Sequence, residues 1–274
     1  MPIPIPVDLD LGASAPGGLL ASARVLPGGW ERGISFPDVA CLVPVVMGEC
    51  PTGTSLKPTQ RVDSATFRPV SIIQAVECTS MGGFDVAAVS DLALTQTADF
   101  ALARELLTGE ASARDHNPNT AEPGGNPSLV GVADDLGNFA TVAAAVACVD
   151  KNLHEATAGR GGFIFAGVDM ATWMLDERII WRDGARWRTA SGTTVVVSAG
   201  FDGRAPGSSA PPAGGAALYL YASAGLWAGT GQAVNYGDVN RSDNTVSSRA
   251  EEIALAAFSP CATFAASATS AAAC

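Results

Sequence analysis

Lysine and histidine are nearly absent from this sequence. Its 16 basic residues, among which only Lys57 and Lys151 are lysines, are outnumbered by 27 acidic residues, and the net charge is −11. A protein that binds nucleic acid specifically needs clustered Lys and Arg side chains to neutralise phosphates. We therefore do not expect specific nucleic-acid binding.

The residue patterns of common cofactor and catalytic sites are also missing. The six cysteines show no Cys-x-x-Cys spacing, and only two histidines could assist them, which argues against a zinc or iron–sulfur site. Neither a Gly-x-x-x-x-Gly-Lys phosphate loop nor a Gly-x-Ser-x-Gly nucleophile turn occurs. We expect no metal, no cofactor and no catalytic residue.

Export and membrane signals are absent as well. The first residues lack the basic and apolar regions of an export signal, and charges or glycines interrupt every apolar stretch before membrane-spanning length. We expect the protein to be made in the cytoplasm, without a membrane partner. In that reducing compartment Cys41 and Cys50, which could pair across a hairpin, should be thiols, and Cys78 and Cys148 should be small buried apolar residues.

A few polar and aromatic residues remain as candidates for chemistry. The acidic pairs Asp134–Asp135 and Glu251–Glu252 could meet a cation, but adjacent side chains point in different directions, which favours a solvated surface. His154 is expected to cap a helix end, where a cation is favourable. The tryptophans could bind a sugar or a base, or could anchor the core or subunit contacts, and we favour the second interpretation; these are Trp173, Trp181 and Trp187.

The first 80 residues read as an extended arm followed by a β-hairpin. Proline and glycine punctuate residues 1–35, which have no helical period. Two apolar runs, Cys41–Met47 and Val70–Val76, are predicted strands, and the turn-rich segment Glu49–Ser64 forms a long polar tip between them. Such an arm and hairpin have little to pack against within one chain.

Two helices dominate the middle of the chain. The first is predicted over Asp85–Thr108 and stopped by Gly109. Its expected buried stripe comprises Val89, Ala93, Phe100, Ala103 and Leu107. The second is predicted over Asn138–Thr157, with Asn138 as its cap and a buried stripe of Phe139, Val142, Val146, Val149 and Leu153.

The last part of the chain alternates strands and turns. Asp169 should cap a short helix that ends at Leu175, Gly225–Gly231 should form a turn, and the alanine-rich tail after Ala265 should be weakly ordered. The predicted strands are Phe163–Val168, Thr193–Ser198, Ala217–Ala222 and Val246–Phe258.

Four segments, in this order, resemble one family. The run Phe67–Ile73 with Glu77–Ser80, the helix end Ala103–Gly109, the strand Thr193–Val197 leading into Gly200–Gly203, and Asn244–Glu251 with Ser259–Cys261 are similar to capsid proteins of phages that infect actinobacteria. The chain resembles a Hong Kong 97-type major capsid protein over most of residues 30–262.

The resemblance implies an α+β fold with named parts. Residues 1–35 would form the N-terminal arm, 36–80 the E-loop hairpin, and 81–135 the spine helix and peripheral domain. Residues 136–245 would form mainly the axial domain, and 246–274 the closing strand of the peripheral domain and a C-terminal tail.

The resemblance also implies a structural role and no enzymatic one. Such proteins assemble as hexamers and pentamers into an icosahedral head shell that encloses double-stranded DNA without reading its sequence. An acidic chain suits this role because packaged DNA can slide past it. The protein would be assembled in the host cytoplasm and reside in the virion, with portal and decoration proteins as possible partners. Because no scaffolding segment precedes the arm, we expect a separate scaffolding protein or none.

Four residues are candidates for contacts between subunits: Lys57, Trp30, Trp173 and Trp181. Some members of the family join subunits through a Lys–Asn isopeptide bond, and Lys57 lies at the predicted hairpin tip. A solvated lysine is the interpretation that we favour.

Three other functions stay open at this point. An encapsulin-type nanocompartment would share the fold but enclose an enzyme. A tail-tube or decoration protein would be another virion component. A carbohydrate-active enzyme would need a pocket with converging carboxylates.

Overall fold

A computed structural model describes residues 17–26, 28–40, 42, 62–78, 85–114, 125–213, 217–240 and 245–269 of the chain. Two β-sheets, each covered on one face by a helix, make up most of these residues. The α-helices are α1 (Leu19–Ser22), α2 (Val86–Thr108), α3 (Glu110–Arg114), α4 (Leu129–Val132), α5 (Val142–Ala156) and α6 (Val168–Asp176). The strands are β1 (Arg24–Val25), β2 (Ile34–Pro37), β3 (Ser64–Phe67), β4 (Val70–Cys78), β5 (Asp134–Phe139), β6 (Phe163–Ala166), β7 (Ile180–Asp183), β8 (Arg186–Thr189), β9 (Thr194–Val197), β10 (Leu218–Ser223), β11 (Leu226–Thr230), β12 (Val234–Asn240), β13 (Thr245–Phe258) and β14 (Thr263–Ala268).

The first sheet is organised around the long strand β13. One edge of β13 pairs with β4, and its other edge pairs with β12 and then β11, all antiparallel. Strand β1 adds to β11 in parallel. Helix α2 lies across one face, where the Ser90 and Ser248 hydroxyl oxygens are 3.0 Å apart and Asn235 Nδ2 donates to Asp91 Oδ2 at 2.7 Å.

The second sheet has the strand order β5-β14-β10-β6-β9-β8-β7. Its central strands β14 and β10 are antiparallel, and β6 and β9 are parallel. Helix α5 packs on one face and buries Val146, Val149 and Leu153 against Leu220 and Ala266. The interior strand β6 is buried along its whole length, as expected for a strand with neighbours on both sides and both faces covered.

The prediction of α2 is confirmed in its limits and in part of its buried face. The Asp85 carboxylate accepts from the Ala87 and Ala88 amides at the N-terminus, and Gly109 ends the helix with φ +66°. Ala103 and Leu107 are buried as predicted, but Val89 and Phe100 are 38% and 49% exposed. The whole buried face is formed by Val86, Ser90, Leu94, Ala98, Leu102, Ala103, Glu105, Leu106 and Leu107. Small residues at 90 and 98 let the helix approach the sheet closely.

The second predicted helix is shorter than its pattern indicated. Phe139 and Asn138 belong to strand β5, and the true cap is Thr141, whose hydroxyl accepts from the Ala144 amide at 3.2 Å. The stripe from Val142 to Leu153 is buried as predicted. The error arose because the apolar Phe139 continues the helical spacing across the strand-to-helix turn.

Two segments expected to be turn or tail are strands. Residues Leu226–Thr230, predicted as a turn, form β11. The alanine-rich segment Thr263–Ala268 forms β14, an interior strand whose Ala265, Ala266 and Ala268 are fully buried. Alanine is needed there because larger side chains would separate the sheet from α5. The short helix α6 is capped by Gly167, and Asp169 lies in its first turn.

The end of the arm packs on its own chain, which corrects the expectation that it has little to pack against. Leu19, Leu26 and Trp30 are at most 9% exposed and belong to the main core. The hairpin also pairs differently: β2 pairs with β3, while β4 pairs with β13 in the first sheet. The predicted strand Cys41–Met47 lies outside the described residues, apart from position 42.

The two sheets cross the predicted domain boundary at residue 245. Strands β12 and β13 lie on either side of it and pair over seven residue positions. Strand β14, predicted with the peripheral domain, belongs to the second sheet. The division into peripheral and axial domains stays a prediction.

A buried arginine connects the two halves of the molecule. The Arg204 side chain is 1% exposed, its Nη2 donates to Asp202 Oδ2 at 2.8 Å, and its Nη1 is 3.4 Å from Glu110 of α3. Arg104 of α2 also bonds Asp202. Tyr221 of β10 donates its hydroxyl to the Arg204 carbonyl at 2.7 Å. Burial alone would raise the pKa of Asp202, but the hydrogen bonds and charge of Arg204, aided by Arg104, hold it below its usual range.

A second buried carboxylate has fewer hydrogen-bond partners. Glu252 of β13 faces α2 and is 8% exposed, and its Oε1 has no hydrogen-bond partner among the described residues. Burial raises the pKa of the Glu252 carboxyl above its usual range. Its neighbour Glu251 points to the other face and pairs with Arg249 at 2.7 Å. The two carboxylates therefore diverge, as predicted from their adjacency.

Replacing Arg204 should destabilise the fold strongly. Arg204→Ala leaves Asp202 buried without its main partner, so we expect the free energy of unfolding to fall by about 3–5 kcal/mol in urea denaturation. The control Arg182→Ala removes an exposed arginine that bonds only the local Gly184 carbonyl, and should change stability by less than about 0.5 kcal/mol. Equal effects of both variants would contradict the importance of the Arg204 group.

Replacing Glu252 should stabilise the protein at neutral pH. Because its pKa is raised in the folded state, the ionised form opposes folding above the usual carboxyl range, and protonation relieves this as the pH falls. Glu252→Gln should therefore gain on the order of 1 kcal/mol at pH 7, and lose that advantage at acidic pH. Thermal unfolding across this pH range provides the measurement, with Glu251→Gln, whose half-buried carboxylate is paired with Arg249, as the control; a pH-independent difference would contradict the prediction.

Candidate functional site

The outgoing stem of the hairpin is fixed by a buried carboxylate. Asp38, at the end of β2, is 9% exposed. Its Oδ1 accepts from the Ser259 hydroxyl at 2.5 Å and its Oδ2 from the Cys261 amide at 2.9 Å. These two residues join β13 to β14, so Asp38 ties the hairpin to the point where the chain passes between the sheets.

The returning stem is fixed by a side-chain amide. Asn126 accepts from the Arg68 amide at 2.7 Å and donates to the Arg68 carbonyl at 2.9 Å, which imitates a strand partner. The Asn126 backbone N–H in turn donates to the Ser112 hydroxyl at 2.8 Å. Glu105 of α2, 5% exposed, accepts from the Ala111 amide at 2.8 Å and lies 3.4 Å from Asn126 Nδ2. The C-terminal end of α2 thus positions the returning stem of the hairpin.

A third contact comes from the second sheet. Arg160, in the loop after α5, donates through Nη2 to the Ala40 carbonyl at 2.8 Å and through Nε to the Thr157 carbonyl at 2.8 Å. The described residues that flank positions 43–61 are therefore held by β2–β3 pairing and by contacts with both sheets.

One face of the first sheet is covered by α2, and the other is exposed in the described chain only around residues 249–253 of β13. At the β11 end this second face is covered, because Leu26 and Trp30 lie over Gly229 and the paired Leu255 is 1% exposed. Side chains of β13 at alternate positions face α2, and the intervening ones face away. Neighbours in the pairing register place Val234 and Ile73 on either side of Glu251, and Tyr236 beside Arg249, on that far face. We call it the open sheet face; its exposed large residues are Ile73 (49%), Val234 (50%), Tyr236 (57%) and Ile253 (42%).

The open sheet face ends at an exposed edge strand. All seven residues of β12 are exposed, and its one strand partner among the described residues is β13. The Arg249 guanidinium lies 6.0 Å from the Tyr236 ring centre. Apolar side chains surrounded by charges, next to an unpaired edge, are the features of a protein-binding surface.

The predicted contact residues are scattered. Trp30 is 9% exposed in the main core, Trp173 packs against the second core, and Trp181 is 46% exposed. Lys57 lies outside the described residues. None of these placements tests a contact between subunits, which stays a prediction for all four residues.

The tryptophans do not form a shared binding platform. In the β7–β8 hairpin Trp181 pairs with Arg188, and Trp187 pairs with Arg182. Their side chains therefore point to opposite faces of the hairpin. This arrangement does not support the sugar-binding alternative.

The cluster around His154 is structural. Asp150, 9% exposed, accepts from the Thr189 hydroxyl at 3.2 Å, from Thr193 at 2.5 Å and from Ser191. His154 Nε2 lies 3.3 Å from the Thr193 hydroxyl and 3.5 Å from Asp150. Because the hydroxyl groups donate to the carboxylate, His154 does not activate any of them as a nucleophile. The cluster fixes the turn before β9 to α5.

Other sites for chemistry are not apparent in the part of the chain that the structure describes. No three His, Cys, Asp or Glu side chains there are grouped to hold a metal, and no helix there has the length and apolar character to span a bilayer. His116 lies outside the described residues, as do Cys41 and Cys50. Cys78 and Cys148 are half-buried, more exposed than predicted.

Comparison with known proteins gives no match by sequence and several by structure. No known family and no curated protein matches the sequence. The structure titled Gordonia phage Cozz has 9% identity and a TM-score of 0.56, covering 97% of this chain and 92% of its own. The capsid of a native GTA particle has 12% identity and a TM-score of 0.56, covering 97% and 95%. Mycobacterium phage Adephagia has 12% identity and a TM-score of 0.52, covering 97% and 94%.

The chain has the capsid fold. This confirms the mixed α/β, Hong Kong 97-type fold class predicted from the sequence, and the capsid fold extends over nearly the whole length of both chains. Sequence reasoning found α2 and β4, but it missed Asp38, Asn126 and Arg160. The bonds that connect these three residues to or from the base of the hairpin join residues at least 58 positions apart, and no local pattern marks them.

Removing the Asn126 amide should weaken the hairpin base of this capsid fold. Asn126→Ala loses both bonds to Arg68, so we expect the free energy of unfolding to fall by about 1–2 kcal/mol, with faster hydrogen exchange at the Arg68 amide. In the control Asn152→Ala, the lost bond lies within one helix, to the Cys148 carbonyl, and exchange at Arg68 should not change. Unchanged exchange in Asn126→Ala would contradict the role of this amide.

Proposed function

We propose that this protein is the subunit of an icosahedral head shell that self-assembles as hexamers and pentamers around double-stranded phage DNA. The observation that carries the proposal is the open sheet face, four large apolar residues beside an unpaired edge in a chain with the capsid fold. A monomer in water gains nothing from such a face, whereas a neighbouring copy would bury it.

The occupant that we propose for this face is the part of an adjacent subunit's E-loop that precedes β3, about residues 41–63; the rest of the segment predicted as the E-loop, up to about residue 75, belongs to β3 and β4. The described residues at its base are held through Asp38, Asn126 and Arg160. Fixing the stems lowers the entropy that must be lost when a neighbour binds the segment. The predicted polar tip of the E-loop and the charged residues Arg249 and Glu251 at the rim of the open sheet face suit an interface that retains some water.

The charge of the chain supports enclosure of DNA without binding to it. A net charge of −11 opposes tight contact with phosphates. The protein would be assembled in the host cytoplasm and retained in the virion, with portal, scaffolding and decoration proteins as further partners. We propose no enzymatic activity, since the hydroxyl cluster around Asp150 and the separated tryptophans offer no reactive arrangement.

Placing charge on the open sheet face should prevent assembly without unfolding the subunit. Ile73→Lys/Val234→Lys puts two cations where a neighbour would have to exclude water, and both side chains are half exposed in the free chain. We expect the particle peak in sedimentation velocity to be lost and the melting temperature to stay within about 3 °C.

Two further variants control this experiment. Ile73→Leu/Val234→Ile keeps the face apolar and should assemble like the wild type. Deleting residues 49–64 should leave a soluble subunit that forms no shells. Normal particles from either the lysine variant or the deletion would overturn the proposal.

A further inference from the structure

An open cavity of about 930 Å³ lies beside the base of the hairpin. Its walls come from four parts of the chain: residues 22–40, residues 154–163 at and after the end of α5, the β8–β9 segment at 186–194, and residues 224–227. The open sheet face is not among its walls. The cavity is therefore a separate surface that the proposed E-loop contact does not use.

Positive charge is concentrated in this cavity although the chain as a whole is acidic. Four arginines line it, together with one carboxylate, Asp38; the arginines are Arg24, Arg160, Arg186 and Arg188. Asp38 already accepts from Ser259 and Cys261. The only lining carboxylate thus has both oxygens occupied within the fold.

Two of the four arginines are available to a ligand. Arg188 is paired with Asp183 at 2.9 Å, and Arg160 donates to the Ala40 and Thr157 carbonyls. Arg24 and Arg186 form no hydrogen bond or ion pair with the described residues, and both are exposed. Arg24 lies 5.9 Å from the Trp227 ring centre, in a cation–π contact that leaves its N–H groups free.

The cavity also has an aromatic wall. The Phe36 and Trp227 ring centres are 4.9 Å apart, and Leu26 and Trp30 lie beside them. Free guanidinium groups next to apolar rings suit a ligand that alternates carboxylates with apolar side chains, more than a bare phosphate.

The first residues of the chain have this chemistry. In the segment 3–11, Ile-Pro-Ile-Pro-Val-Asp-Leu-Asp-Leu, every odd position is apolar and Asp8 and Asp10 lie between the last three of them. In an extended backbone, which the prolines favour, the apolar and acidic side chains point to opposite sides. One side can meet Phe36 and Trp227 while the other reaches the arginines.

We propose that this cavity binds residues 3–11 of a neighbouring copy, with Asp8 and Asp10 paired to Arg24 and Arg186. The inference rests on the proposed shell function, because the segment arrives from a second subunit. Within one chain, Gly17 packs against Trp187, and a Cβ there would be 2.4 Å from that ring. Trp187 points away from the β8 face that carries Arg186 and Arg188, so Gly17 lies on the other side of this strand from the two arginines.

Charge-reversal variants distinguish a contact between subunits from a contact within one chain. Variant A is Asp8→Arg/Asp10→Arg and variant B is Arg24→Asp/Arg186→Asp. Each alone places like charges together, and we expect its particle yield to fall at least about tenfold. Mixing A with B before assembly allows the segment of A to enter the cavity of B and the reverse, so the yield should return to within about twofold of the wild type.

The outcomes distinguish a neighbour from the chain itself. A third variant combines the four substitutions of A and B in one chain. If this variant assembles and the mixture of A with B does not, the contact lies within one chain and the proposal is wrong. If neither assembles, or if A and B assemble normally alone, the pairing is wrong. Wild-type particles in the same experiment show that the shell function stands independently of this result.

Two controls complete the design. Arg182→Asp reverses an exposed arginine on the opposite face of the same hairpin and should not reduce the yield. Unchanged melting temperatures of A and B show that the subunits fold. Binding of a fluorescent single-stranded oligonucleotide that is lost in B and kept in A would assign the cavity to nucleic acid and overturn the proposal.

Discussion

The ion-paired group around Arg204 is the constraint on which the described fold depends. A guanidinium that is 1% exposed is held by Asp202 and Glu110, and its backbone carbonyl receives the Tyr221 hydroxyl. It therefore joins the helices beside the first sheet to a central strand of the second. A buried charge tolerates little rearrangement, since any displacement leaves it without its partners. The group thus helps to set the relative position of the two sheets, together with the main core, which contains residues of both.

A body fixed in this way leaves two surfaces incomplete. The first is the open sheet face, which is apolar and next to the unpaired edge of β12. The second is the arginine-lined cavity at the hairpin base, whose free guanidinium groups need anions. Both adjoin segments whose stems are tied to the body, through Asp38 and Asn126. Under the proposed function, the subunit combines a fixed centre with two surfaces that neighbouring copies of the chain would cover.

Local signals in the sequence predicted the elements that local interactions determine. Helix α2 begins and ends where Asp85 and Gly109 indicated, because caps act within a few residues. The buried face of α2 was predicted only in part, since packing against β13 selects small residues such as Ser90 over the large Phe100. Strand β14 was missed because alanine has low strand propensity, and its burial between α5 and the sheet overrides that preference. The anchors of the hairpin and the Arg204 group depend on contacts between distant residues, which no periodicity reveals.

Electron cryo-microscopy of particles assembled from the full-length protein tests the central claim most directly. The account predicts closed icosahedral shells in which density from a neighbouring subunit's E-loop covers Ile73, Val234 and Tyr236. A protein that stays monomeric at high concentration, or shells in which this face remains in contact with solvent, would contradict it.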